Sequence, residues 1–319
     1  MEKAKKLNLL GLTLLMLATL VWGTSFFILK ETIAEVPTFF VIAVRFLTAA
    51  LLLMLIFNKK LRDMERRTFL RGVILGVLLA LAYVTQTLGL ENTTPGRNAF
   101  LTSSYCVMCP FIMWILFKKK PKLYNVISAI LCIVGVGMVA LSGGGETEEN
   151  VLLGDALTLV GAVFFGLQIV FIDKFQNEGN DSMRLLMIEL LTVGIIFTIL
   201  SLIIELPKGV DGYALNVEQI LKIAYLTLAC TLFAQFAQIT GQKFTSANQC
   251  ALILSLEAVF GVLFSVIFAG EKLTLLIGMG FLIIFVAIII SELKLDPMRL
   301  LKRKHVNENL GNDSADKGC

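Results

Sequence analysis

Ten times along its length this chain runs apolar for about 20 residues before a short polar break, and that spacing constrains it more than any other feature. A helix needs about 20 apolar residues to cross a hydrocarbon core roughly 30 Å thick. Inside that core every backbone N–H and C=O must be satisfied by the protein, so only helices and closed barrels span it. The blocks lack the alternation of ten-residue barrel strands, which leaves helices. Composition agrees: 57% of the 319 residues are hydrophobic and 16% charged, where a soluble chain carries about 25% charged. One His and six Cys make neither a metal framework nor a secreted disulfide scaffold, so no metal and no cofactor is expected. The formal net charge of +4 arises in loops and a basic tail. It bears on membrane orientation, not on nucleic-acid binding.

The fold expected is an all-α integral membrane protein of ten transmembrane helices. They fall at about 7–29, 37–57, 72–90, 98–117 and 123–142, then 152–172, 184–204, 217–241, 246–268 and 273–293. The first is read as an uncleaved helix, because the next apolar block begins almost at once. The acidic, glycine-rich link at 143–151 separates a first five-helix repeat (1–142) from a second (152–293). The polar tail at 294–319 is expected to be disordered after a short basic, interfacial stretch.

The two sets of five are copies. In TPGRNAFLTSSYCVMCPFIMWILFKKKPKLYNVISAILCIVGVGMVALS (94–142) and TSANQCALILSLEAVFGVLFSVIFAGEKLTLLIGMGFLIIFVAIIISEL (245–293), Thr94 falls on Thr245, Leu101 on Leu252, Ser104 on Ser255 and Phe117 on Phe268. Earlier in each copy Trp22-Gly23 lies over Phe165-Gly166, and Arg45 over Glu189. Five is odd, so the second copy enters the membrane from the opposite side. Inverted five-helix repeats of this kind are an architecture of secondary transporters. Of the 28 Lys and Arg, 22 fall on the side of the N-terminus and five on the other, with Arg45 inside a span. By the positive-inside rule both termini are cytoplasmic, and the expected location is the plasma membrane.

Certain motifs carry a family resemblance. WGTSF at Trp22–Phe26, AVRFLTAA at Ala43–Ala50 and the run from Gln86 through Ser104 into Pro110 resemble the first half of an EamA-type transporter. SLEAVFG at Ser255–Gly261 followed by GEKLT at Gly270–Thr274 is similar to that family's signature in its ninth and tenth helices. This is the drug/metabolite transporter superfamily, and the likeness covers roughly residues 8–293. Ala258 departs from it, since proline is usual after the glutamate, as does Lys120-Pro121 in place of a Gly-Glu turn. The resemblance implies a transporter that exports a small polar or amphipathic metabolite by alternating access, and an amide-rich set with few charges suits a zwitterion such as an amino acid better than a polyanion. The resemblance also implies that helices five and ten lie outside a central cavity. An exporter of lipophilic cations is the alternative. No enzyme is expected, since the only His lies in the tail.

Candidate site residues follow from the cost of polar groups in hydrocarbon. Glu257, half-way along the ninth helix, is either a proton carrier or cation contact, or a structural carboxyl held by a neighbouring helix. Glu189 is a second candidate for proton or ion coupling. Arg45 is a candidate anion contact, or an anchor held by carbonyls. Trp22, Ser25, Tyr83, Gln86, Asn98, Gln168, Gln235, Gln238 and Gln249 form an amide-rich set that lines either a wet cavity or helix interfaces. Thr24, Ser103, Ser104, Asn248 and Ser255 accompany them. Trp22 is alternatively an interfacial belt residue. Pro110 and Gly261, at one level of matching helices, are a candidate hinge or merely tolerated irregularities. Cys106 and Cys109 read as inert buried thiols, and Gly72 with Gly76 as a packing pair. The partners expected are a small-molecule substrate, the lipid bilayer and, as an open question, a second copy in a homodimer.

Overall fold

The computed structural model describes residues 2–62, 64–141, 148–209, 213–245, 250, 253–270 and 272–292. The tail, Gln249, Asn248 and most of the acidic link lie outside the described residues. In chain order the first half comprises α1 (Glu2–Ile33), α2 (Thr38–Ile56), α3 (Arg66–Asn92), α4 (Pro95–Thr102), α5 (Tyr105–Phe117) and α6 (Leu123–Leu141). The second comprises α7 (Glu148–Asn177), α8 (Ser182–Leu200), α9 (Val217–Tyr225), α10 (Ala234–Phe244), α11 (Glu257–Phe268) and α12 (Leu275–Glu292). Seven stretches among the described residues are long and apolar enough to cross a membrane, and three shorter apolar helices join them. The helix of the second half starts inside the expected link, at Glu148.

Helix pairing reproduces the duplication. α1 packs on α10 and α11, while α7, its equivalent, packs on α3 and on α4 and α5. α2 packs on α8, and α6 on α12, each with its own counterpart. Exchanging the halves therefore maps the α1 seams onto the α7 seams, and the α2–α8 and α6–α12 seams onto themselves. The all-helical membrane fold of two repeats stands as the sequence predicts.

Small residues set the closest seams, as expected where hydrocarbon offers no hydrophobic drive between helices. A Cβ on Gly11 would sit 2.9 Å from the Gly241 carbonyl oxygen, and one on Gly241 2.8 Å from that of Gly11. Gly72 and Gly76 let α3 settle on Ile188 and Thr192 of α8. Gly135 does the same for α6, against Gly280 and Ile284 of α12.

Two expected continuous helices are broken. α4 stops at Thr102, and Ser103-Ser104 forms a turn before α5; Ser255-Leu256 forms the same turn before α11. The ladder tightens to i→i−3 at both: Ser104 N–H to Leu101 O (3.2 Å) and Leu256 N–H to Ile253 O (3.1 Å). The Ser103 and Ser104 hydroxyls bond back to Ala99 O and Leu101 O, which bends helices. The irregularity thus falls before Pro110, which stays inside α5. At the break Ser103 corresponds to Ser255, so Tyr105, not Cys106, is the counterpart of Glu257. The helix ends still pair Phe117 with Phe268, so α5 holds one residue more than α11.

The eighth apolar stretch is irregular as well. Leu226–Phe233, between α9 and α10, is π-helical, a form found mostly as short insertions at functional sites.

Candidate functional site

Residues from α1, α2, α3, α4, α5, α7, α10 and the α11 region converge on one buried cavity. α6, α8 and α12 contribute nothing to its wall. Trp22, Ser25, Arg45, Tyr83, Gln86, Gln168, Gln235, Gln238 and Glu257 all line it, together with Thr87, Thr102, Tyr105 and Phe165. About 40 Å³ is open to the centre of a water molecule, room for a few waters.

The π-helical segment lies behind the wall and holds two of its residues, Trp22 and Arg45. Its altered register presents the Cys230 carbonyl to the Trp22 indole N–H, 2.8 Å away, and turns Thr231 inward. The Thr231 hydroxyl donates to Leu226 O (2.9 Å) and accepts from Arg45 Nε (3.2 Å). Arg45 is 1% exposed, its guanidinium 5.9 Å from the ring centres of Phe46 and Tyr83. Trp22 therefore lines the cavity and braces α1 against the π segment.

The opposite side is an amide relay. Gln238 Nε2 reaches Gln168 Oε1 at 3.5 Å, and Gln168 Nε2 donates to Glu189 Oε1 at 2.7 Å. Glu189 is fully buried, off the cavity wall, and orients Gln168 from behind. Glu257 is 7% exposed, lines the cavity, and makes no hydrogen bond to another described side chain.

Other candidates are placed elsewhere. Asn98 is off the wall: its amide donates to Gln86 O (3.1 Å) and the Thr158 hydroxyl (2.7 Å), locking α4 to α3 and α7. Thr24 bonds Tyr225 across α1 and α9 (2.7 Å). Gly261 seats α11 on α4, where a Cβ would come within 2.3 Å of the Ala99 Cβ. Cys106 and Cys109 are buried and form no disulfide.

Sequence reasoning passed over three features. Arg97, counted as a loop charge, is buried in α4 and ion-paired with Asp155 of α7, which also accepts from Thr93 (2.9 Å). Glu205 accepts from the N–H groups of Phe39 (2.7 Å) and Phe40 (3.0 Å) at the start of α2, as suits the positive end of a helix. Tyr105 had one available signal, the register at the break that sets it opposite Glu257.

An all-helical, duplicated membrane bundle closed around a polar central cavity defines a membrane transporter. The EamA-like transporter family model matches residues 9–141 and 152–293, and the chain belongs to that family. An uncharacterized transporter of Archaeoglobus fulgidus is 31% identical over 283 residues, covering 88% of this chain and 85% of that protein. The uncharacterized transporter YoaV of Bacillus subtilis is 20% identical over 269 residues, covering 83% and 91%. A solved crystal structure covers 91% of this chain and 97% of its own with a TM-score of 0.65 at 14% identity, a likeness of fold alone.

Proposed function

We propose that this transporter carries a small polar or amphipathic metabolite, such as an amino acid, outward across the plasma membrane by alternating access, with the central cavity as its substrate site. One observation carries the reading: the amide-bearing side chains of both halves meet at a single enclosed void, while the outer helices α6 and α12 stay apolar and apart. Sites at the interface of repeats near the bilayer midplane suit a rocking mechanism. The small void fits an occluded conformation.

Charge at the two ends supports cytoplasmic termini. Lys60, Arg67 and Arg71 sit at one end with Asp181 and Glu178. At the other, Arg97 is buried and Lys30 donates to the Leu90 and Glu91 carbonyls, so few cations there remain exposed. Proton coupling through Glu257 and Glu189 belongs to the same proposal. A Glu257→Gln, Glu189→Gln double variant that transports with unchanged pH dependence would sink that part.

The test is a thermal-shift screen of the purified chain against amino acids, organic cations, sugars and nucleotides at two pH values. A ligand that binds only the folded state raises the melting temperature with concentration. Stabilisation by amino acids, lost in Gln86→Ala or Gln238→Ala, is the expected result. Stabilisation by organic cations alone, lost in Glu257→Gln, would instead establish cation export.

A further inference from the structure

Two charged residues share the cavity wall, and neither is neutralised by the protein. Arg45 is buried, its Nε is satisfied by a neutral hydroxyl, and its Nη1 is buried with no partner. No carboxylate among the described residues pairs with it. Glu257 carries the opposite charge, likewise without an ion-pair partner among the described residues, and among those residues no other Asp, Glu, Lys or Arg lines the void. The Tyr83 ring centre lies 5.9 Å from the Arg45 guanidinium. The Tyr105 hydroxyl, on the same wall, is a third buried polar group without a partner. Buried charges are paired or coordinated, and a guanidinium fork matches a carboxylate in shape. Between the poles the wall is aromatic: Trp22, Tyr83, Tyr105 and Phe165.

We propose that the cavity is built for a zwitterion, the carboxylate of the ligand on the Arg45 guanidinium, its ammonium on Glu257, and its apolar part against the aromatic wall between them. This rests on the cavity being the substrate site. It makes Arg45 the residue that selects against lipophilic cations. A cation alone leaves Arg45 without a counter-ion and adds repulsion; a zwitterion satisfies both poles with no net charge carried in.

The experiment compares three forms of one ligand on the purified full-length protein. L-Leucine and L-methionine have both poles. Their methyl esters lack the carboxylate charge, and their N-acetyl derivatives lack the ammonium. Binding is read by thermal shift against concentration, so wild-type protein gives an answer without any variant. The free amino acids are expected to bind at least about tenfold more tightly than either derivative, as when a buried polar group loses its partner. In Arg45→Gln the gap between acid and ester should close while the gap to the N-acetyl form persists; Glu257→Gln should do the converse. Arg45→Lys, which keeps the charge and loses the fork, should bind with intermediate affinity.

Esters that bind as well as the free acids overturn the Arg45 pole, and N-acetyl forms that do so overturn the Glu257 pole. In both cases the cavity is still shown to bind solute, and the transport reading survives. If no form of either amino acid shifts the melting temperature, the zwitterion site is wrong. The transport reading then stands or falls on the other ligand classes of the wider screen.

Discussion

The Arg97–Asp155 pair is the clearest structural charge in the molecule. Both side chains are about 4% exposed or less, and the pair joins the start of α4 to α7, one from each half. Removing one partner strands the other in low dielectric, which costs about 3–5 kcal/mol. Asp155→Asn or Arg97→Met should therefore lower the melting temperature sharply, and an Arg97→Met, Asp155→Leu double variant should recover part of the loss. Equal melting temperatures for wild type and Asp155→Asn would refute this. Asn98 looks like a site residue in the sequence and Arg97 like a loop charge, yet both lock α4 to α7. That shared task shows only when the partner is visible.

Among helices, α8 begins with a designed-looking cap. Asp181 Oδ1 accepts from the N–H groups of Met183 (2.9 Å) and Arg184 (3.1 Å), and Oδ2 meets Lys60. Partial burial pushes the Asp181 pKa up, but the Lys60 ammonium and the two backbone donors outweigh it and hold the carboxyl below its ordinary value. A depressed acid contributes stability above its unfolded pKa of about 3.9 and loses it as pH falls through the lower folded value. Asp181→Asn should thus melt below wild type by a constant margin from neutral pH down to about pH 5. The two curves should converge in stronger acid. Asp181→Ala, which also removes the cap, should cost about 0.5–2 kcal/mol. A second element-scale prediction concerns the α1–α11 seam. A Cβ on Gly23 would meet the Phe260 Cβ at 2.4 Å, so Gly23→Ala should destabilise by about 1–3 kcal/mol through overpacking. Detergent-solubilised melting curves test both.

At the scale of the molecule, exchange of the two halves maps the main helix seams onto one another or onto themselves, and the breaks at Ser103-Ser104 and Ser255-Leu256 fall at matching places in the two copies. If these breaks are where α4 and α11 pivot between conformations, straightening one should trap the closed cavity. Ser103→Ala with Ser104→Ala removes the hydroxyl bonds back to Ala99 and Leu101. Transport in proteoliposomes should fall several-fold in that variant while the melting temperature holds or rises. Unchanged transport would place the moving part elsewhere. Sidedness is tested by single cysteines at Lys59 and Lys208 in intact cells: a membrane-impermeant thiol reagent should label only the second.

The sequence by itself determined the spans, their number of copies and the family. Burying backbone in hydrocarbon is a toll charged residue by residue, so its record is local and readable, and a duplication repeats it. Motif resemblance singled out Trp22, Gln86 and Glu257, polarity within an apolar block singled out Gln168 and Gln238, and all five line the cavity. Only the tertiary structure decided which polar residue faces the cavity and which locks a seam. That choice depends on the rotation of each helix about its axis, and the rotation follows from where small residues let helices touch. Arg45 lies on the cavity wall with its Nε on Thr231 of the π-helical segment, and Asn98 lies off it with its amide on Thr158 of α7. Neither partner is near in sequence, so no local pattern encodes the outcome.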